Sequence, residues 1–204
     1  MKFNFGSTQN GSASSSGGAL NLTKGTTLDL AKKAPSLKRC LLGAGWDVAR
    51  GNESYDLDIA AFLLGENGKV NNIATDVVFF NALKQQGIEL KGDNRTGAGD
   101  GDDEQIEINL NQLSNSVNRI VFVVTIFEAQ AKRQTFGMID NAYVRLCDLE
   151  NNSKEICRYE LKDNYSADTG VIFAELFKTN DGWSFKAIGE GIIGDLNTIL
   201  SRYQ

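Results

Sequence analysis

The 204-residue chain contains no histidine. That absence removes the imidazole base of the hydrolytic triads, the commonest zinc ligand and the usual switch near neutral pH. An enzyme built on this sequence would have to run on carboxylates, lysine or cysteine. There is one proline, and 41% of the residues are hydrophobic, so a linker-rich array is disfavoured and a single globular domain with its own core is expected. No stretch approaches the roughly 18 to 20 uncharged apolar residues of a spanning helix. Met1-Lys2-Phe3-Asn4-Phe5 lacks the basic region and apolar run of a secretory signal. The expectation is a cytoplasmic protein with no integral membrane segment. The three cysteines, Cys40, Cys147 and Cys157, form no C-x-x-C pair. An odd count at wide spacing fits reduced, buried thiols rather than a disulfide framework.

What the chain does have is one concentrated patch of charge. Residues 92–104 carry five acids, Asp93, Asp100, Asp102, Asp103 and Glu104, against the single Arg95, a net of -4 in a chain of net -5. Glycines at 92, 97, 99 and 101 let the backbone turn sharply enough to bring carboxylates and carbonyls to one point, as a hard cation such as Ca²⁺ requires. Nucleic acid or an anionic membrane would be repelled. A solvated Asp/Gly turn accounts for the glycines but not for five acids held at mutually repulsive distances.

Residues 1–19 read as a flexible leader, because Ser, Gly, Asn and Thr dominate residues 7–18 and cannot repay their ordering entropy. Residues 20–204 read as one domain. From residue 20 onward, short apolar or alternating runs bounded by turn residues predict strands at 21–30, 39–45, 55–64, 76–81, 88–91, 105–110, 119–126, 141–148, 154–161, 170–178 and 183–188. So many short strands predict a mainly all-β fold, a two-sheet β-sandwich. Asn67-Gly68, Asp181-Gly182 and Asn151-Asn152 suit two-residue hairpin loops. The last sets Leu146 opposite Cys157 and Val144 opposite Tyr159, giving an apolar face and sending Cys147 to the other side. Few helices are expected: one turn within 110–118, an ambiguous stretch at 127–139, and a C-terminal helix at 195–203 capped by Asp195.

In Tyr55-Asp56-Leu57-Asp58-Ile59, strand alternation puts both carboxylates on one face, about 7 Å apart. A cation beside that strand could be shared with the acidic loop. The loop is not an EF-hand: counted from Asp93, Glu104 falls at position 12, but Arg95 and Gly97 occupy positions 3 and 5 and Ala98 replaces the glycine at 6. It is not a phosphate loop either, since it ends in acids before a strand rather than in Lys-Ser/Thr before a helix. Two nearby carboxylates could serve a glycosidase, but only Trp46 and Trp183 are available as sugar platforms, and Trp183 reads as core. Glu128, Lys132 and Arg133 read as a solvated charged segment.

Together, Gly43-Ala44-Gly45-Trp46-Asp47, Tyr55-Asp56-Leu57-Asp58, Gly92-Asp93-Asn94-Arg95-Thr96-Gly97, Gly101-Asp102-Asp103-Glu104, Arg133-Gln134-Thr135-Phe136-Gly137, Asn141-Ala142-Tyr143-Val144-Arg145 and Ile172-Phe173-Ala174-Glu175-Leu176 resemble the tellurium-resistance TerD family, from about residue 20 to the end. The resemblance implies a β-sandwich that binds calcium as a pair of ions, in a family of bacterial stress and tellurite-resistance operons that includes proteins described as cAMP-binding. By position, Asp56, Asp58, Asp93, Asn94, Asp100, Asp102, Asp103 and Glu104 match its acidic motifs, and Asp47 its Gly-Trp-Asp. It implies no catalytic activity and protein partners in a stress-response complex, related family members among them. The rival readings are a small-molecule or cyclic-nucleotide sensor and a metal-dependent hydrolase. Two features depart from the pattern: Phe127-Glu128 stands where the family commonly has His-Asp, and the leader is longer than usual.

Overall fold

The computed structural model describes residues 18–48, 55–91, 101–163 and 165–204. Residues 1–17 of the expected leader and the expected ligands Asp93, Asn94 and Asp100 lie outside them. In chain order the strands are β1 (Leu20–Leu22), β2 (Thr27–Asp29), β3 (Arg39–Val48), β4 (Leu57–Leu64), β5 (Val77–Val78), β6 (Lys84–Gln85), β7 (Ile88–Lys91), β8 (Glu104–Asn109), β9 (Arg119–Ile126), β10 (Ile139–Asp148), β11 (Lys154–Glu160), β12 (Gly170–Thr179) and β13 (Gly182–Ile192). They form two sheets, ordered β1-β11-β10-β3-β8-β7-β6 and β2-β13-β12-β9-β4-β5. All neighbours are antiparallel except β1 and β11. The fold is a mainly β two-sheet sandwich, as the run of short strands predicted.

Burial explains the one strand that breaks alternation. All eight residues of β4 are buried. Leu57, Ile59, Ala61 and Leu63 face the core between the sheets, while Ala60, Phe62 and Leu64 join a second cluster on the outer face. The C-terminal helix (Leu196–Leu200) closes that face with Ile199 and Leu200, each worth about 1.5–3 kcal/mol in removed apolar surface. Asp195 caps it as expected, its Oδ1 accepting from the Thr198 amide at 2.8 Å.

Several details depart from the sequence reading. The strand expected at 21–30 is two strands in different sheets, because the 23–26 turn, with Gly25 at φ +81°, carries the chain from β1 to β2. Strand β6, and the four-residue helices Leu30–Lys33 and Ile73–Asp76, are too short to leave a periodic signal. The segment 110–118 forms turns rather than a helix, and Ala129–Lys132 is a short helix within the ambiguous stretch. A tight turn forms at Asn67-Gly68, with Gly68 at φ +72° and its amide donating to Gly65 O at 3.0 Å, but no strand returns from it and the chain passes into the Ile73–Asp76 helix. The β12–β13 hairpin turns one residue earlier than predicted, pairing Thr179 with Gly182. At β10–β11 the loop is residues 149–153, and a bulge at Leu146/Cys147 restores the expected pairings Leu146 with Cys157 and Val144 with Tyr159. All three cysteines are free and buried. Burial pushes the Cys157 thiol up to about 12 and raises Cys40 and Cys147 as well, so all three are poor nucleophiles. Trp183 is only half-buried at the rim of the core, with Lys178 Nζ 5.4 Å from its ring centroid. Glu128, Lys132 and Arg133 are exposed, as expected.

Candidate metal-binding end of the sandwich

At one end of the sandwich, the acidic segment 101–104 enters β8 and is gripped by both sheets. The first grip is β3. Alternation sends Ala44 and Trp46 into the core and leaves Gly43, Gly45 and Asp47 on the outer face. Each glycine makes room. A Cβ on Gly43 would collide with the Asp102 carboxylate, and one on Gly45 would sit 2.5 Å from Tyr143 Cζ. Asp103 extends the pairing of Ala44 with Glu104 by donating its amide to Ala44 O at 2.8 Å, and its Oδ2 accepts from the Trp46 amide at 2.9 Å. Burial raises the Asp103 carboxyl above the usual range; the Trp46 amide opposes this, and the charges of Asp47 and Asp102 add to it.

The second grip is the outer row of β10, whose members are the partners of the acids. Asn141 Nδ2 donates to Asp47 Oδ2 at 2.7 Å. The Tyr143 hydroxyl lies 2.8 Å from Gly101 O and 3.1 Å from Asp102 Oδ1, one proton facing two acceptors. Arg145 takes Asp102 in a two-pronged grip, Nε to Oδ1 at 2.7 Å and Nη2 to Oδ2 at 3.0 Å, and Gln105 Nε2 adds a bond of 3.1 Å. The Asp102 side chain is fully buried. Its oxygens are spent on protein donors, so it anchors the segment. Arg158 stacks 4.0 Å over the Tyr143 ring, and burial together with Asp102 pushes the Tyr143 phenol up to about 12. These partners fall at every second residue of a strand whose other row was already predicted to be apolar. Alternation could have marked them as an outward polar row, but it could not say what they hold.

The third grip crosses between the sheets. Glu104 is 2% exposed, and its Oε2 accepts from the Ile59 amide at 2.8 Å. Strand β5 pairs only with Ala61 and Phe62 of β4, so this carboxylate satisfies the β4 edge where β5 does not reach. Asp58, the preceding residue, is 8% exposed and opposes Thr125. It shares its face with Ala60 rather than with Leu57 and Ile59, as alternation predicted. Asp56 sits just before β4, its carbonyl accepting from the Phe127 amide at 2.8 Å. Of the nine expected ligands, Asp47, Asp56, Asp58, Asp102, Asp103 and Glu104 thus belong to adjoining parts of one end, and the other three lie outside the described residues. Among the described residues, no group of three or more carboxylates or thiols is arranged to hold a metal ion, and no helix is long and apolar enough to cross a membrane.

The TerD domain family matches residues 19–203. The tellurium resistance protein TerD of Alcaligenes sp. is 43% identical over 91% of this chain and 97% of its own length. General stress protein 16U of Bacillus subtilis is 39% identical over 90% of this chain and 96% of its own. A Streptomyces coelicolor crystal structure described as a homologue of the telluride resistance protein TerD superposes with a TM-score of 0.67 at 23% identity, covering 81% of this chain and 96% of that one. The structural likeness concerns the fold alone.

Proposed function

Because the chain belongs to the TerD family, whose members here are tellurium-resistance and stress proteins, we propose that it is a cytoplasmic, non-enzymatic calcium-binding module of such a system. In this reading Ca²⁺ orders the acidic segment so that it presents a surface to a protein partner, related family members included. One observation carries it: the buried Glu104 of one sheet reaches the β4 backbone of the other one residue beyond the buried Asp58. Two buried carboxylates in adjoining parts of this end offer hard anionic oxygens to a divalent cation. The donor set fits the metal. Asp47, Asp58, Asp103 and Glu104, with Asp93, Asn94 and Asp100 from the adjoining segment and the Asp56 carbonyl, offer only hard oxygens. Ca²⁺ accepts such irregular cages, whereas Mg²⁺ demands strict octahedral geometry. Asp102 contributes by anchoring the segment through Arg145.

Calorimetric titration of metal-stripped protein tests this. Calcium should bind and magnesium much more weakly, and calcium at about 100 times its Kd should add about 2.7 kcal/mol of stability. A melting temperature unmoved by excess calcium would sink the reading. A hollow of about 480 Å³ beside Asp47, walled by Tyr143, Arg158 and Lys162, favours a small-molecule sensor as the second reading. Adding nucleotides to the same titration separates the two.

A further inference from the structure

The chain holds three cysteines and two methionines, and among the described residues only one of their sulfurs meets solvent. Cys40, Cys147 and Cys157 are 0%, 1% and 0% exposed, whereas Met138 is 42% exposed. Methionine ranks with the residues most often fully buried, so this thioether is unusually open. The ordinary order of sulfur chemistry is reversed here. An accessible thiolate normally meets an oxidant first, but burial raises all three thiols and keeps them protonated and out of reach. An oxidant arriving from water therefore meets the thioether.

Met138 also holds a neighbour. Its Sδ accepts a hydrogen bond from the Tyr55 hydroxyl at 3.2 Å. Tyr55 is only 3% exposed and packs in the same core cluster as Trp46 and Phe136. The flanking residues show what this bond joins. Met138 immediately precedes β10, whose first residues Ile139 and Asp140 pair with Val48 and Asp47 of β3. Tyr55 immediately precedes Asp56, whose carbonyl takes the Phe127 amide before β4 begins. The bond thus ties the start of a strand in one sheet to the chain entering the other. A thioether sulfur is a weak acceptor on an apolar, flexible side chain, while a sulfoxide is polar and chiral. The added oxygen draws electron density from sulfur, so the Tyr55 hydroxyl must leave the sulfur and either turn to the new oxygen or give up this bond.

We propose that Met138 is a site of reversible oxidation by hydroperoxides, and that its sulfoxide releases the Tyr55 tie and loosens the end of the sandwich where Asp47 and Asp56 lie. The sulfur lone pair attacks one peroxide oxygen, and the S–O bond forms as the O–O bond breaks. The proton of the transferred oxygen passes to the leaving oxygen, which departs as water or an alcohol. Sulfur loses two electrons and the peroxide gains them. A dithiol reductant working through a sulfoxide reductase reverses the change, becoming a disulfide while the oxygen leaves as water. The proposal does not rest on metal binding.

The test treats the folded, full-length protein with hydrogen peroxide and maps the products by peptide mass spectrometry. Met138 should gain one oxygen while the three cysteines stay unmodified, and Met1 is read separately from its own peptide. Loss of one hydrogen bond in a chain of this size should lower the melting temperature by about 2–4 °C, and a methionine sulfoxide reductase supplied with its dithiol should restore it. Met138→Leu, which conserves side-chain volume and leaves nothing to oxidise at this position, should melt at the same temperature before and after peroxide. Tyr55→Phe keeps the ring and removes the hydroxyl, so its Met138 should still take up oxygen but with a much smaller fall in melting temperature. Oxidation of a cysteine ahead of Met138, or a Met138 left unmodified, overturns the proposal. So does a melting temperature of the unsubstituted protein that peroxide leaves unmoved, or a fall of equal size in either variant.

Discussion

Asp102 shows how much a single residue can settle at this end of the molecule. Its side chain is fully buried, and its anchor is the guanidinium of Arg145. Arg145→Leu leaves that carboxylate buried without its charge partner, and a loss of about 3 kcal/mol is expected, read as a lower urea midpoint at unchanged slope. Arg145→Lys should recover only part of it, since an ammonium cannot match the two-pronged geometry. Gly43→Ala acts on the same contact from the opposite side by driving a methyl group into the carboxylate. The acids themselves were legible from their density in the sequence. Their division of labour was not, because Asp102, Asp103 and Glu104 are adjacent and chemically alike. Only tertiary structure gives the first to Arg145, the second to Trp46 and the third to Ile59.

At the scale of elements, the readable features were those with a period. Strand β9 was predicted at its observed bounds, Arg119–Ile126, because a continuous apolar run leaves little choice. The β10–β11 pairing was reached despite a wrong loop length, since the demand for an apolar face fixes register more strongly than the turn does. The two-residue strand β6 and the four-residue helices Leu30–Lys33 and Ile73–Asp76 carry no period and were missed, whereas β5 fell within the longer strand expected at 76–81. The C-terminal helix was found through the helical spacing of Leu196, Ile199 and Leu200, and its cap, Asp195, makes a pH prediction. Hydrogen bonds from the Thr198 amide and hydroxyl hold the Asp195 carboxyl below its usual range. A depressed carboxyl contributes stability that is fully present above the unfolded value near 3.9 and lost as pH falls through the folded one. Asp195→Ala should therefore cost about 1 kcal/mol at neutral pH. The gap to the unsubstituted protein should narrow below about pH 4, as followed by thermal melts across that range.

For the whole molecule, Glu104 is the cross-sheet contact with the clearest consequence, because it ties the acidic segment of one sheet to the β4 edge of the other. Glu104→Gln keeps a carbonyl oxygen to accept from the Ile59 amide and removes the charge, with an amide NH₂ in place of the second oxygen. If the carboxylate serves a cation, the substituted protein should melt near the unsubstituted one when both are metal-free, yet gain much less from calcium. Equal gains in the two would confine Glu104 to its hydrogen bond.

The outermost strands of the two sheets are β1, β6, β2 and β5, and they are only three, two, three and two residues long. Each outermost strand offers a neighbouring copy only a short ladder to extend. The β1 border also opens a parallel pair, the slightly less stable arrangement per residue. Among the described residues, these short borders therefore act against edge-to-edge growth of the sheets.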